Sequence, residues 1–226
     1  MSAKFILITL ALILVSITGC TTYGEARKQL IDSLPESERA YLIGKFSVQC
    51  KPSNGGAKCS QAFNSISAYY KSNTLKYNDR FDSTNGSIFG NDTIYDVVDT
   101  KNKVKSFYFC RILPEGNYSL FTIRYWNFAG GGSGYYLAEE DQFDIPFRLE
   151  KGKISLIGSL KLTTEQGKNI LGMTLPTSGL LVLDILKDEE VNSALKKCPE
   201  MVRAYEIMPQ HLISRDYKSP FVKVKN

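Results

Sequence analysis

The sequence predicts a mainly β protein, an antiparallel β-sandwich with a short N-terminal helix and a C-terminal helix. Three observations carry this expectation. Strand-length runs rich in Phe, Tyr, Ile and Val recur at short intervals along the chain. Pro, Gly and Asn turn signals separate those runs. Helical periodicity is confined to the two ends, and nothing repeats at a fixed period.

The densest β pattern lies between Val104 and Leu162. Ser106–Ile112 and Tyr118–Phe128 flank Leu113-Pro114-Glu115-Gly116. There the proline presets φ for a turn, and the glycine stands where a type I turn favours it, so the pair reads as a hairpin. Phe143–Leu149 and Ile154–Leu162 follow as strands joined at Lys151-Gly152. Pro146 cannot donate to a ladder, which makes its strand an edge or a bulge.

From the beginning, Lys4 is followed by a 13-residue apolar run, Phe5–Ile17, closing on Ile17-Thr18-Gly19-Cys20. The run has the length of a signal-peptide core and is short of the roughly 20 apolar residues a spanning helix needs. Its end resembles the lipobox of bacterial lipoproteins. That resemblance implies cleavage of residues 1–19, acylation of Cys20, and attachment to the membrane through the lipid. Thr21 after the cysteine, rather than Asp, implies the outer membrane of a cell envelope. Cleavage would leave 207 residues with 27 basic and 23 acidic side chains, a net charge of +4. No nucleic-acid partner is expected.

Residues 20–38 read as a lipidated tether with a short helix, since Ala26, Leu30, Ile31 and Leu34 share one helical face before Pro35. The β domain is expected over residues 39–186, opening with a strand at 39–49 and a second at 63–71. Residues 72–103 are polar, with turn signals at Asn78-Asp79 and Asn85-Gly86 and short strands expected at Ser87–Phe89 and Ile94–Val98. Two more strands are expected at Ile170–Leu175 and Gly179–Leu186. Residues 187–226 read as a helix and a basic tail. Asp188, Glu189 and Glu190 open the helix and Lys196-Lys197 close it, in keeping with the helix dipole. Val191, Ala194, Leu195 and Cys198 share its apolar face, and Pro199 ends it. From Lys196 onward seven basic residues face three acidic ones, a net +4 that reads first as a solvated tail and, as the alternative, as a contact with lipid phosphates.

The segments LPEGNYSLFTIRYWNFAGGG and FDIPFRLEKGKISLIGSLKL resemble those of uncharacterised Gram-negative lipoproteins with a prealbumin-like, or carboxypeptidase-regulatory-like, β-sandwich. The shared pattern is Leu-Pro-x-Gly-x-Tyr, Phe-x-Ile-Pro-Phe and Gly-x-Ile-x-x-x-Gly, over roughly residues 39–165. It implies the fold and no particular activity.

Five cysteines are present. With Cys20 acylated, four remain, and an oxidising envelope favours their pairing, for which three connectivities exist. Cys50 and Cys59 bracket a turn-rich loop between two strands and are expected to pair. That leaves Cys110 with Cys198.

Few residues invite a catalytic reading. His211 is the single histidine, so neither a zinc site nor a Cys–His or Ser–His–Asp arrangement finds support. Gly130-Gly131-Gly132-Ser133-Gly134 lacks the Lys and the following helix of a phosphate loop. Asp79, Asp82, Asn85, Asn91, Asp92, Asp96 and Asp99 offer oxygen ligands without the spacing of a calcium loop. No metal and no cofactor are expected. Trp126, Phe128, Tyr135 and Tyr136 crowd the glycine-rich loop and could contact a glycan or peptide. The expected role is thus non-catalytic: an envelope lipoprotein, structural or accessory, partnered by the membrane and by another envelope protein or a glycan. A glycan- or peptide-binding module is the alternative, and an envelope hydrolase is a third, less favoured reading.

Overall fold

A computed structural model describes residues 23–50, 65–84, 93–127, 133–168, 170–172, 174–210, 212–215 and 217–225. Among them the protein is mainly β, with two sheets packed face to face. The first sheet holds β1 (Arg39–Cys50), β4 (Val97–Asp99), β5 (Val104–Pro114), β9 (Ile154–Lys168), β10 (Thr174–Asp184), β11 (Ile207–Pro209) and β12 (Val222–Val224). Its order is β12-β10-β9-β1-β5-β4, with β11 added to the start of β9. The second holds β2 (Ser65–Ser72), β3 (Asn78–Thr84), β6 (Gly116–Asn127), β7 (Ser133–Tyr136) and β8 (Ile145–Leu149) in the order β3-β2-β6, with β7 and β8 both on β6. Helix α1 (Tyr23–Asp32) precedes the sheets and α2 (Asp188–Leu195) follows β10.

The first sheet is mixed rather than antiparallel throughout. β1 pairs antiparallel with β5 but parallel with β9. The two parallel strands are far apart in sequence, and the whole of the second sheet lies between them in the chain. Such a long crossover is what permits parallel pairing, which a hairpin cannot. β1 is also apolar on both faces. Ala40, Leu42, Phe46 and Val48 point into the core between the sheets, while Tyr41 and Ile43 point outward under α2. A strand covered on both sides needs no polar face, and its sequence reads as a nearly unbroken apolar run.

Aromatic residues dominate the shared core. Phe46 stacks on Phe81 across the two sheets at 6.0 Å between ring centroids, and Phe81 meets Phe109 at 4.5 Å. Each such pair adds about 0.5–1.5 kcal/mol to simple area burial. The hairpin expected at Pro114 does not form: β5 lies in the first sheet and β6 in the second, so the turn carries the chain from one sheet to the other, with only Glu115 between the two strands. The buried hydroxyl of Tyr118 closes it by donating to the Pro114 carbonyl at 2.9 Å. β8 has a single neighbour, β6, so Pro146 does sit on an edge.

A second apolar cluster lies on the outer face of the first sheet. Val191, Ala194, Leu195, Cys198 and Val202 cover Tyr41, Ile43 and Ile154 there. Lys45 on β1 pairs with Glu190 of α2 at 2.5 Å, and Glu190 also accepts the Lys187 backbone N–H at the helix start. Burial opposes the charge of Glu190, but the Lys45 ammonium and the Lys187 N–H outweigh it and hold its pKa below the ordinary carboxylate value. The disulfide Cys110–Cys198 joins β5 to the end of α2, with the two Cα atoms 5.1 Å apart. Cys50 ends β1, whereas Cys59 and the Cys50–Cys59 pair fall outside the described residues, as do Cys20 and His211.

The C-terminal segment is built into the body instead of trailing from it. β11 and β12 extend the first sheet, and Leu212 is buried in the core. Lys197 pairs with Asp96 at 2.6 Å and Lys225 with Asp184 at 2.8 Å, while Arg203 donates to the Cys198 and Lys196 carbonyls. Three of its seven basic side chains are therefore engaged within the fold.

One glycine is required by a close approach. β10 is bulged between Thr177 and Gly179, and the buried Tyr125 hydroxyl passes by Gly179 to donate to the Thr163 carbonyl at 2.7 Å. A Cβ on Gly179 would collide with both Thr163 O and the Tyr125 ring. Gly179→Ala is expected to cost about 1–3 kcal/mol by overpacking. A urea midpoint equal to that of the unmodified protein would count against this close contact.

Candidate functional site

The sequence marks Asp79 as a turn residue, yet it begins a strand and points inward. In β3 the odd positions Asp79, Phe81 and Ser83 are buried, and the even positions face out. Asp79 stands opposite Tyr70 of β2, and its Oδ2 becomes the meeting point of four donors. Arg27 Nη1 donates at 2.6 Å, Tyr70 OH at 3.0 Å, and Tyr77 OH and Arg111 Nη1 at 3.1 Å each. Oδ1 accepts the Arg80 backbone N–H at 2.7 Å. Arg111 comes from β5 in the facing sheet and lies over the Phe81 ring, 4.1 Å from its centroid. The Asp79 side chain is 2% exposed. Burial raises the pKa of the Tyr70 and Tyr77 hydroxyls, so both stay protonated and able to donate. Burial opposes the charge of Arg27 as well, but Asp79 beside it prevails and raises its pKa.

This knot ties three elements together: the edge of the second sheet, the edge of the first, and α1. Arg111 Nη1 also donates to the Tyr70 hydroxyl at 2.9 Å, so the donors are tied to one another as well as to the carboxylate. The consequence of the knot is positional, because Arg27 fixes α1 against the open side of the sandwich.

The start of α1 is fixed a second time, on the outward face of the second sheet. The Tyr23 ring meets that of Tyr69 edge-on at 6.1 Å, and the Arg80 guanidinium lies 5.2 Å from the Tyr23 ring centre. Arg80 is itself steadied by Asp82 at 2.9 Å and by the Tyr69 hydroxyl at 3.1 Å. Further along the face, Lys71 sits over Phe121 at 5.1 Å and Arg124 over Trp126 at 4.2 Å. Among the described residues neither helix covers this face, since α1 packs on β3 and β5 and α2 on β1 and β5.

The aromatic group expected around the glycine-rich loop is divided by strand alternation. Tyr125 and Ile123 are fully buried, so their neighbours Arg124 and Trp126 face out. In the β6–β7 pairing Tyr135 stands opposite Tyr125, and Tyr136 opposite Arg124. Tyr135 thus packs against the core, whereas Tyr136 faces out and is 68% exposed. Gly134 stands opposite Trp126, where a Cβ would strike the indole. Phe128 is outside the described residues. The face that results joins Trp126 and Tyr136 to residues not anticipated as a set, Tyr23, Tyr69 and Phe121. Only the alternation in each strand, read with the correct register, could have assembled them.

Among the described residues the carboxylates considered as cation ligands are engaged elsewhere, while Asn85, Asn91 and Asp92 lie outside those residues. Asp82 accepts from Ser65, Ser67 and Arg80, Asp96 from Lys197 and the Tyr108 N–H, and Asp99 from Asn102. Among the described residues no three His, Cys, Asp or Glu side chains are grouped to hold a metal, and no helix is long and apolar enough to cross a membrane.

No family model matches the chain, and no curated protein does. Among solved structures, a leucine-rich repeat protein from Bacteroides thetaiotaomicron VPI-5482 is similar at a TM-score of 0.29 and 10% identity, over 55% of this chain. The match spans 14% of that protein, a likeness too loose to inform fold or function.

Proposed function

We propose that this protein is a non-catalytic lipoprotein of the bacterial envelope, acylated on Cys20 and held by that lipid at the outer membrane in a structural or accessory role. The observation that carries the reading is the apolar run closing on Ile17-Thr18-Gly19-Cys20, three residues ahead of a helix pinned to the body at Tyr23 and Arg27. A tether this short suits a domain that works at its membrane and not at a distance from it. The resemblance to Gram-negative lipoproteins with a prealbumin-like sandwich supports the same reading. The non-catalytic part rests on the single histidine and on the lack of any nucleophile–base pattern in the sequence.

A second reading is a module binding a glycan or peptide. Trp126 and Tyr136 on one exposed face favour it, and the inward turn of Tyr135 reduces the set of contacts.

Attachment is tested directly. Cys20→Ser is expected to accumulate as an uncleaved precursor that takes up no labelled palmitate. Normal processing of that variant would end the lipoprotein reading.

A further inference from the structure

We infer that the outward face of the second sheet, on the side where α1 begins, lies against an anionic phospholipid bilayer; the inference rests on the acylation of Cys20 proposed above. Chain length sets the geometry. Thr21 and Thr22 alone stand between Cys20 and Tyr23. Extended backbone reaches about 3.6 Å per residue, so the two Cα atoms are within about 11 Å of each other. Tyr23 is held on this face by Tyr69 and Arg80. An acyl group on Cys20 therefore brings this face to the bilayer. The opposite surface of the molecule, covered by α2, points away.

The chemistry of the face agrees with its position. Tyr and Trp rings prefer the boundary between head groups and acyl chains, where an apolar body and a polar edge are both accommodated. Tyr23, Phe121 and Trp126 supply such rings, with Tyr69 buried beneath Tyr23. Lys71, Arg80 and Arg124 stand among them, each laid over an aromatic ring. Long cationic side chains in that arrangement reach anionic head groups while their stems cover apolar surface. Asp82 is the single carboxylate at the outward positions of β2, β3 and β6, and Arg80 neutralises it. The acidic Glu139-Glu140-Asp141 turn lies beyond β6, on the margin away from α1. The charge on the face is thus graded, with its cationic side next to the lipid-bearing end of the chain. In the C-terminal segment Lys197, Arg203 and Lys225 are bound within the fold, which leaves fewer cations there for a membrane contact.

Trp126 is the only tryptophan in the chain, so its emission reports on this face alone. The test uses the mature lipidated protein in vesicles of phosphatidylethanolamine and phosphatidylglycerol that carry a bromine-labelled phosphatidylcholine. Bromine quenches indole on contact. Emission of Trp126 is expected to be quenched, and quenching is expected to weaken at high salt while the protein still floats with the vesicles. Lys71→Glu changes the charge by two units at an exposed position. At about fivefold per charge it should shift the balance between docked and merely tethered protein roughly thirtyfold toward tethered. Protein that takes up palmitate and floats, yet keeps unquenched Trp126 emission, overturns the inference and leaves acylation standing. Protein that neither takes up palmitate nor floats removes the acylation reading and this inference with it. Equal quenching of the Lys71→Glu protein, or a Trp126 response to a soluble oligosaccharide with none to the vesicles, also overturns it.

Discussion

Asp79→Asn is expected to lower the stability of the folded protein by about 3–5 kcal/mol, the cost of removing one partner from a buried ion pair. The carboxylate is 2% exposed and receives Arg27, Arg111, Tyr70 and Tyr77 on one oxygen. An amide of the same shape presents a donor where these groups need an acceptor. Arg111, 13% exposed and pressed against Phe81, would then be left as a buried charge without its partner. For a protein of this size the loss corresponds to a fall in melting temperature of roughly 10 °C. Asp82→Asn serves as the control. Its carboxylate lies on the outward face at 21% exposure, and its loss should cost about 1 kcal/mol or less. Arg27→Met separates the two consequences of the knot. Arg27 is 31% exposed, so this change should leave most of the stability in place while releasing α1 to proteolysis. Asp79→Asn protein that melts with the unmodified chain would show that the cluster contributes no stability.

The contrast between Asp79 and the β5–β6 turn shows what could be read from sequence. That β5 and β6 enter different sheets is not legible there, but the two strands and their turn announce themselves through local chemistry: aromatic and β-branched runs on both sides of Pro and Gly. β3 does not. Asn78-Asp79-Arg80-Phe81-Asp82-Ser83-Thr84 is polar at six of seven positions, and Asn-Asp before Arg has the look of a turn. It folds as a strand because Phe81 enters the core and because partners distant in sequence make Asp79 tolerable inside. Propensity cannot anticipate such partners, since Arg27 and Arg111 lie 52 and 32 residues away.

Two other features were hidden for the same reason. The C-terminal segment was read by its net charge, which says nothing of where each counter-charge sits. Its lysines find Asp96 and Asp184 only in the folded state. The aromatic residues around the glycine-rich loop were grouped by nearness along the chain. In a strand, neighbours point to opposite faces, so Tyr135 and Tyr136 part company. Parallel pairing of β1 with β9 was beyond reach for a further reason: no local signal marks which distant strands become neighbours. What the sequence did convey were features with a local or covalent basis, namely strands bounded by turns, the helix stopped by Pro199, and the partner left to Cys110.

Loss of the Cys110–Cys198 bond is expected to cost about 4–5 kcal/mol, because it closes a loop with a sequence separation of 88. A cross-link over that length removes much of the freedom of the unfolded chain, and by that account the effect grows with the logarithm of loop size. In the folded state the bond is not alone in holding α2. Ala194, Cys198 and Val202 are buried against Tyr41, Ile43 and Ile154, and Lys45–Glu190 and Lys197–Asp96 bridge the same surfaces. The double variant Cys110→Ala, Cys198→Ala should therefore fold with α2 in place but unfold at a lower guanidinium concentration. Replacing a buried Cys by Ala removes one heavy atom, so little of the change would come from packing. Measuring the unmodified protein with and without reductant adds an independent estimate. An unfolding free energy for the double variant within about 1 kcal/mol of the parent would mean that packing and ion pairs hold this helix unaided, and that the cross-link adds nothing to them.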